Sequence, residues 1–282
     1  MSLHATTISA RQRWLQLPLR EIADYRDLLF LLVRRDFVAK YKQTLLGPLW
    51  FVIQPLLTTL IFTIIFGKVA KIPTDGLPPV LFYLCGLLGW NYFAQTFNTT
   101  STTFVTNAQL FGKVYFPRLV LPLSVALSNL IALGLNLGIF FGFIGYYWIV
   151  ADGWAPVHLG WGLAVLPLLI LQLAATALGA GLWVAALTAK YRDLTHLSTF
   201  MVQLLMYATP VIYPLSQIPS GWQWLVCLNP MAMVVENFRV IFLRGATASP
   251  ALTLLSICIT VLVLATGVLL FQRTERTFID TV

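Results

Sequence analysis

Amides, hydroxyls and aromatic rings recur at helical spacing inside long apolar stretches of this sequence. Trp50, Gln54 and Thr58 stand at i, i+4 and i+8, and so do Thr199, Gln203 and Tyr207. Asn91, Gln95, Asn98 and Thr102 make a third run, and Ser124/Ser128 and Gln172/Thr176 are shorter ones. On a helix this spacing puts each set on one face. Such a face can hydrogen-bond to a neighbouring helix, as polar residues do in membrane bundles. It can also line a neutral path in which amides meet hydroxyls and rings carry C–H surfaces, chemistry that suits sugars. A conduit of that kind binds weakly at many points, so its cargo can leave. Both readings stay open for the stripes at 50–58 and 199–207. Helix packing is the expectation for the others.

Catalytic chemistry is missing. The sequence holds no Walker A motif, no His-Glu-x-x-His, no Gly-x-Ser-x-Gly and no cysteine–histidine cluster, so no catalytic residue, metal or bound cofactor is expected. Cys85, Cys227 and Cys258 are widely spaced and read as free buried thiols. Asp75, Asp152, His158 and Glu236 fall in connections and form no acid/base constellation, which disfavours a membrane-embedded enzyme. The apolar segments contain no Asp or Glu that could relay protons or sodium ions. A self-sufficient secondary transporter or channel is therefore disfavoured, and uphill movement has to be powered by a partner.

The elements that carry the stripes follow from composition. Of 282 residues, 59% are hydrophobic and 10% charged, against about 25% charged in a soluble domain. Lipid is the solvent for most of the chain. A span needs roughly 20 apolar residues, and six segments qualify: about 46–67, 79–100, 121–147, 161–187, 196–213 and 251–271. Eight Lys and Arg lie in the first 45 residues, and two each at Lys113/Arg118, Lys190/Arg192 and Arg273/Arg276. Only Lys68, Lys71, Arg239 and Arg244 fall on the other side. The positive-inside rule then puts both termini in the cytoplasm. The net charge of +8 is a membrane-orienting feature attracted to anionic headgroups, not a nucleic-acid patch. No cleavable signal peptide is expected, because the first long apolar run begins near Leu45.

Three segments do not span. Asp24–Gln43 has a short apolar run, Leu28–Val33, followed by Arg34, Arg35, Lys40 and Lys42, and reads as an amphipathic helix in the cytosolic interface. Gly47-Pro48 turns the chain into the first span, and Pro55 is expected to kink it. Within 214–244 two short apolar halves flank Asn229-Pro230, which breaks any helix between them. A re-entrant helix pair between spans five and six fits. The loop at 101–118 predicts a short cytosolic helix tipped with Leu110 and Phe111. On residues alone it is expected to anchor in headgroups. Gly134, Gly138 and Gly142 are expected to let the third span pack closely.

The same residues carry a resemblance. Arg34-Arg35-Asp36 with Lys40-Tyr41-Lys42-Gln43-Thr44-Leu45-Leu46-Gly47-Pro48-Leu49-Trp50 resembles the approach to the first span in ABC-2 permeases that export polysaccharides. Asn107 through Lys113 with Tyr115-Phe116-Pro117-Arg118, and Tyr191-Arg192-Asp193-Leu194, resemble that family's cytosolic loops. Tyr207-Ala208-Thr209-Pro210-Val211-Ile212-Tyr213-Pro214 and Asn229-Pro230-Met231, with Arg239, resemble its outer re-entrant region. Five pieces in the right order cover nearly the whole chain.

The resemblance implies an all-α integral membrane protein with a 1–45 cytosolic and interface segment, a 46–271 transmembrane domain and a 272–282 tail. It implies a homodimer working with two ABC ATPase subunits that bind ATP and Mg, in a bacterial inner membrane. The cargo it implies is a lipid-linked glycan of O-antigen, capsule or teichoic-acid type; a drug or small lipid is the alternative. Asn107, Gln109, Leu110, Phe111, Lys113, Arg118, Tyr191, Arg192 and Asp193 would couple to the ATPase. Arg34, Arg35, Lys40, Tyr41 and Lys42 would receive the lipid pyrophosphate, the stripes of spans one and five would line the channel, and Trp222, Trp224, Asn229 and Pro230 would form an outer gate.

Overall fold

A computed structural model describes residues 19–39, 42, 47–111, 116–150, 162–191, 193–243 and 248–279. Every regular element among them is helical. The first helices are α1 (Leu19–Asp24) and α2 (Arg26–Ala39). Next come α3 (Trp50–Phe62), which widens into a π-helical turn at Thr63–Val69, and α4 (Pro79–Ser101). Two single turns, α5 (Thr103–Thr106) and α6 (Ala108–Phe111), precede α7 (Val120–Val150) and α8 (Gly162–Thr188). The chain closes with α9 (Leu194–Ala208), α10 (Ser220–Val226), α11 (Pro230–Phe242) and α12 (Pro250–Ile279).

Four of these helical stretches are long and apolar enough to cross a bilayer: Trp50–Val69, Val120–Val150, Gly162–Thr188 and Pro250–Glu275. A fifth is present if α10 and α11, bent by 110° to each other, are taken as one span. α9 stops earlier than the sequence pattern suggested. Thr209 precedes Pro210 and is extended (φ −98°, ψ 141°), because a following proline disfavours helical geometry. The 15 residues of α9 reach about 22 Å, short of the roughly 30 Å hydrocarbon core.

α4 is long enough at 23 residues but too polar to pass the same test. It sits at the centre, buried along nearly its whole length from Leu81 to Ser101, against α3, α7, α8, α9 and α11. Its apolar faces are covered by these neighbours, while Asn91, Gln95 and Asn98 lie on the face left partly open. Beside it, α8 and α12 run together. Gln172 Nε2 donates to Ser256 Oγ at 2.8 Å, Thr176 and Thr260 hydroxyls meet at 3.0 Å, and Trp183 Nε1 donates to Thr266 Oγ1 at 2.9 Å. The Gln172/Thr176 stripe is thus a packing seam, as expected. The two backbones touch where Gly179 faces Gly267: a Cβ at 267 would collide with the Gly179 carbonyl, and one at 179 would lie 2.7 Å from Leu264 Cα.

The glycines of α7 behave differently from expectation. Gly134, Gly138 and Gly142 have nothing within 4 Å of the position a Cβ would take. They lie on the outer face of α7, among exposed Ile131, Leu135 and Phe141. The seam in this chain therefore uses Gly179 and Gly267, because those two alone of these five stand where another helix backbone arrives.

Candidate functional site

Between α3, α4 and α7 lies a cleft of about 520 Å³. Trp50, Gln54 and Thr58 on α3 form one wall, and Asn91, Gln95 and Asn98 on α4 form the second. The third comes from α7, with Asn129 and Asn136. The α4 stripe, expected to serve helix packing, thus shares an open cleft with the α3 stripe. Tyr92 OH donates to Ala126 O at 3.1 Å and Asn129 Nδ2 to Thr96 Oγ1 at 3.0 Å, tying α4 to α7 behind the cleft. At its wall the side-chain oxygens of Asn98 and Asn136 are buried without a hydrogen-bond partner among the described residues. The two α7 asparagines were missed from sequence because Asn129 and Asn136 are seven apart, two turns that a four-residue search steps over.

A second recess of about 290 Å³ adjoins towards α2 and shares Asn129. Arg35, Asp36, Thr102, Asn107, Ser124 and Ser128 are among its lining residues. The stripe on α9 takes part in neither space. Thr199, Gln203 and Tyr207 are exposed on a face that also shows Phe200 and Leu204. The structure therefore groups the α3 stripe with α4 and α7, and leaves the α9 stripe turned outward from the chain.

Helix α2 is apolar on two sides. Leu28, Leu29 and Leu32 of α2 rest against Phe116, Val120 and Leu121 at the start of α7, while Phe30 and Leu31 point outward at 67% and 62% exposure. Arg34 is exposed. Arg35 is half open and held by its neighbour, with Nε and Nη2 donating to Asp36 Oδ1 at 2.9 and 2.8 Å. Phe37 stacks on Phe51 at 5.9 Å and links α2 to α3. Lys42 is among the described residues; Lys40 and Tyr41 lie outside them.

The loop between α4 and α7 is built from the two single turns. Asn107 Nδ2 donates to Thr103 O and Thr106 Oγ1, both at 3.0 Å, and closes the first turn on itself. Leu110 is half-buried on the same apolar cluster as Leu32, so the loop leans on α2. The exposed groups at this end are Val105, Thr106 and Gln109. Phe111 ends α6, while Lys113 and Arg192 lie outside the described residues. Arg118 is buried: Nη1 donates to Glu275 O at 3.1 Å, and Nε stands 3.8 Å from its carboxylate. Burial lowers the Arg118 pKa, and the Glu275 charge opposes that shift. Thr188 Oγ1 donates to Ser101 O at 2.7 Å, which draws the loop after α8 to the same end. There Tyr191 and Asp193 are exposed, and Lys190 Nζ lies 5.2 Å from the centre of the Tyr191 ring.

At the opposite end α11 is capped by its own sequence. Asn229 Oδ1 accepts from Met231 N at 3.0 Å, Pro230 takes the first helical position, and Asn229 Nδ2 donates to Thr209 Oγ1 at 2.8 Å. Trp222 and Trp224 on α10 are exposed. About two turns into α11 is a charge pair whose Glu236 the sequence reading had placed in a connection. Arg239 Nη1 donates to Glu236 Oε2 at 3.1 Å and Nη2 to Val211 O at 2.8 Å, and the guanidinium lies 3.8 Å over the Phe82 ring. Both residues are buried, and a Cβ on Gly86 would stand 3.0 Å from Nη2. The i, i+3 spacing of Glu236 and Arg239 was the available signal, since opposite charges at that spacing meet on a helix.

Apolar helices of spanning length, a central polar helix and an uncharged cleft define a multi-pass membrane protein of the transport type. The comparisons agree: residues 27–243 match the ABC-2 type transporter family, and the chain belongs to it. It is similar to an O-antigen export system permease protein RfbA of Myxococcus xanthus, 31% identical over 262 residues, covering 91% of this chain and 96% of that one. Two proteins of the same description from Klebsiella pneumoniae are similar too. One is 27% identical over 90% of this chain and 94% of its own length, the other 29% over 78% and 81%. Membership of this family implies association with an ABC ATPase.

Proposed function

We propose that this chain is the permease subunit of an ATP-driven exporter of a lipid-linked polysaccharide across a bacterial cytoplasmic membrane. Two copies work with two ABC ATPase subunits, which bind ATP and Mg and perform the hydrolysis. The observation that carries this reading is the end-to-end likeness to O-antigen export permeases. Electrostatics support it. Among the described helices from α3 to α11 the one carboxylate is Glu236, and Arg239 already engages it. No carboxylate is left there to relay ions, so the driving force belongs to the ATPase.

In this reading α3, α4, α7, α8, α9 and α12 are six spans with both termini cytoplasmic, and α10 and α11 dip into the outer leaflet and return. Trp222, Trp224, Asn229 and Pro230 are the outer gate. The α9 stripe faces away from its own chain, so a conduit using Thr199, Gln203 and Tyr207 is completed by the second copy. Arg34 and Arg35, with Lys40, Tyr41 and Lys42, receive the lipid pyrophosphate. Asn107, Gln109, Phe111, Lys113, Tyr191, Arg192 and Asp193 meet the ATPase, while Leu110 and Arg118 hold that surface in place from behind. Deleting the gene and analysing the lipid fraction by mass spectrometry tests the proposal. The expected result is accumulated lipid-linked glycan with surface polysaccharide lost; a normal surface with no accumulation refutes it.

A further inference from the structure

We infer that the cleft between α3, α4 and α7 binds a neutral, hydroxyl-rich glycosyl unit within each protomer, apart from any path that a second copy closes. The inference rests on the polysaccharide reading above and names where one sugar is held. Every described residue lining the cleft is uncharged. Its polar groups are amides from three helices, led by Gln54, Asn91, Gln95 and Asn136. Structural asparagines in a membrane bundle are expected to complete their hydrogen bonds with neighbouring helices. Asn98 and Asn136 do not, and in each the unmatched atom is the acceptor oxygen.

The lining selects the ligand. Each amide carries an acceptor oxygen and a donating NH2, and a sugar hydroxyl, which both donates and accepts, can answer either. A sugar ring carries several O–H donors, whereas a phosphate oxygen offers only lone pairs and would also enter a cleft without a cation. A charged group is better matched in the adjoining recess, where Arg35 lies. Trp50, Phe51 and Tyr92 add ring faces for the C–H side of a sugar. The volume of about 520 Å³ falls within the range of about 300–1,000 Å³ usual for small-molecule sites.

The test uses the full permease–ATPase complex in nanodiscs, with Gln95→Cys as a reporter and the exposed Cys258 changed to Ser. The rate of maleimide labelling is followed with increasing oligosaccharide, released by hydrolysis from the surface polysaccharide of the host strain, and separately with inorganic pyrophosphate. Oligosaccharide is expected to slow labelling and pyrophosphate to leave it unchanged. Asn136→Leu should raise the protecting oligosaccharide concentration about tenfold, the worth of one hydrogen bond. It should leave stability unchanged or higher, because an unmatched buried acceptor is replaced by an apolar group of similar shape. Labelling indifferent to both probes makes this a hydrated groove, and protection by pyrophosphate makes it an anion site. Either result overturns the inference while leaving the permease reading intact, which the deletion phenotype decides by itself.

Discussion

Replacing Arg239 by Met should be among the most damaging single changes in the chain. Methionine fills much the same volume but leaves the Glu236 carboxylate buried without its partner, and leaves Val211 O without the donor now 2.8 Å away. It also removes the cation from the Phe82 ring, 3.8 Å from its centre. Breaking a buried pair by removing one member costs about 3–5 kcal/mol, and both side chains here are at most 5% exposed. Replacing both, as Glu236→Leu with Arg239→Met, removes the stranded charge and should recover most of that loss, since apolar replacement of a buried pair is often neutral. SDS-induced unfolding in mixed micelles, followed by tryptophan fluorescence, measures the three variants against wild type. If Arg239→Met lies within about 1 kcal/mol of wild type, the value of a solvated surface pair, the pair is not buried and the reasoning fails. A double variant no better than the single would refute it equally.

Other expectations concern the two membrane faces. Arg34→Lys with Arg35→Lys should insert normally and retain ATPase yet export less polysaccharide, because a guanidinium grips two phosphate oxygens where an ammonium acts as a point charge; wild-type export from this variant would leave the arginines as general membrane anchors. Leu110→Asp buries a carboxylate against Leu32 and Phe116 and should cost several kcal/mol if unpaired, whereas Val105→Asp at the exposed tip should spare stability and lower copurifying ATPase; equal effects of the two on unfolding would argue against this division. Gly267→Val should destabilise by about 1–3 kcal/mol or more through overpacking, while Gly138→Leu, facing open space, should leave unfolding of the isolated chain unchanged. A single cysteine at Asp75 should react with impermeant maleimide outside spheroplasts and one at Lys190 should not, and labelling at Lys190 would invert the proposed topology.

The helices were legible because their signal is length and hydropathy, both local. The same is true of the Asn229-Pro230 break and the cap it supplies to α11. The partner of each polar face was not legible. Asn91, Gln95 and Asn98 share one face by spacing alone, but whether another helix or open space lies opposite is set by how α3 and α7 cross α4. Glu236 and Arg239 carried the spacing of a helical pair, yet a short apolar half following two tryptophans did not show that both charges would be buried. The glycines of α7 and of the α8–α12 seam look alike in sequence, and only the approach of a second backbone separates them. Leu110 was read as a tip residue because it closes, with Phe111, the short apolar run of that loop; its neighbour in space is Leu32, on a helix that begins far upstream.

The enclosure of α4 bears on how this chain is made. In the proposed topology α4 crosses the membrane while carrying three amides on one face, and each polar group raises the free energy of lateral release into lipid. A newly made α4 has not yet met α8 or α11, which follow it by many residues. Its early companion is α3, joined to it by the short turn around Asp75 and Gly76, with Phe62 and Tyr83 set edge to face across the hairpin at 6.1 Å. Integration of the two helices as one unit would shelter the amides at the step when nothing else can. On that view, lesions on the α3 side of the hairpin should surface first as chains degraded during biogenesis, before any defect in transport can be seen.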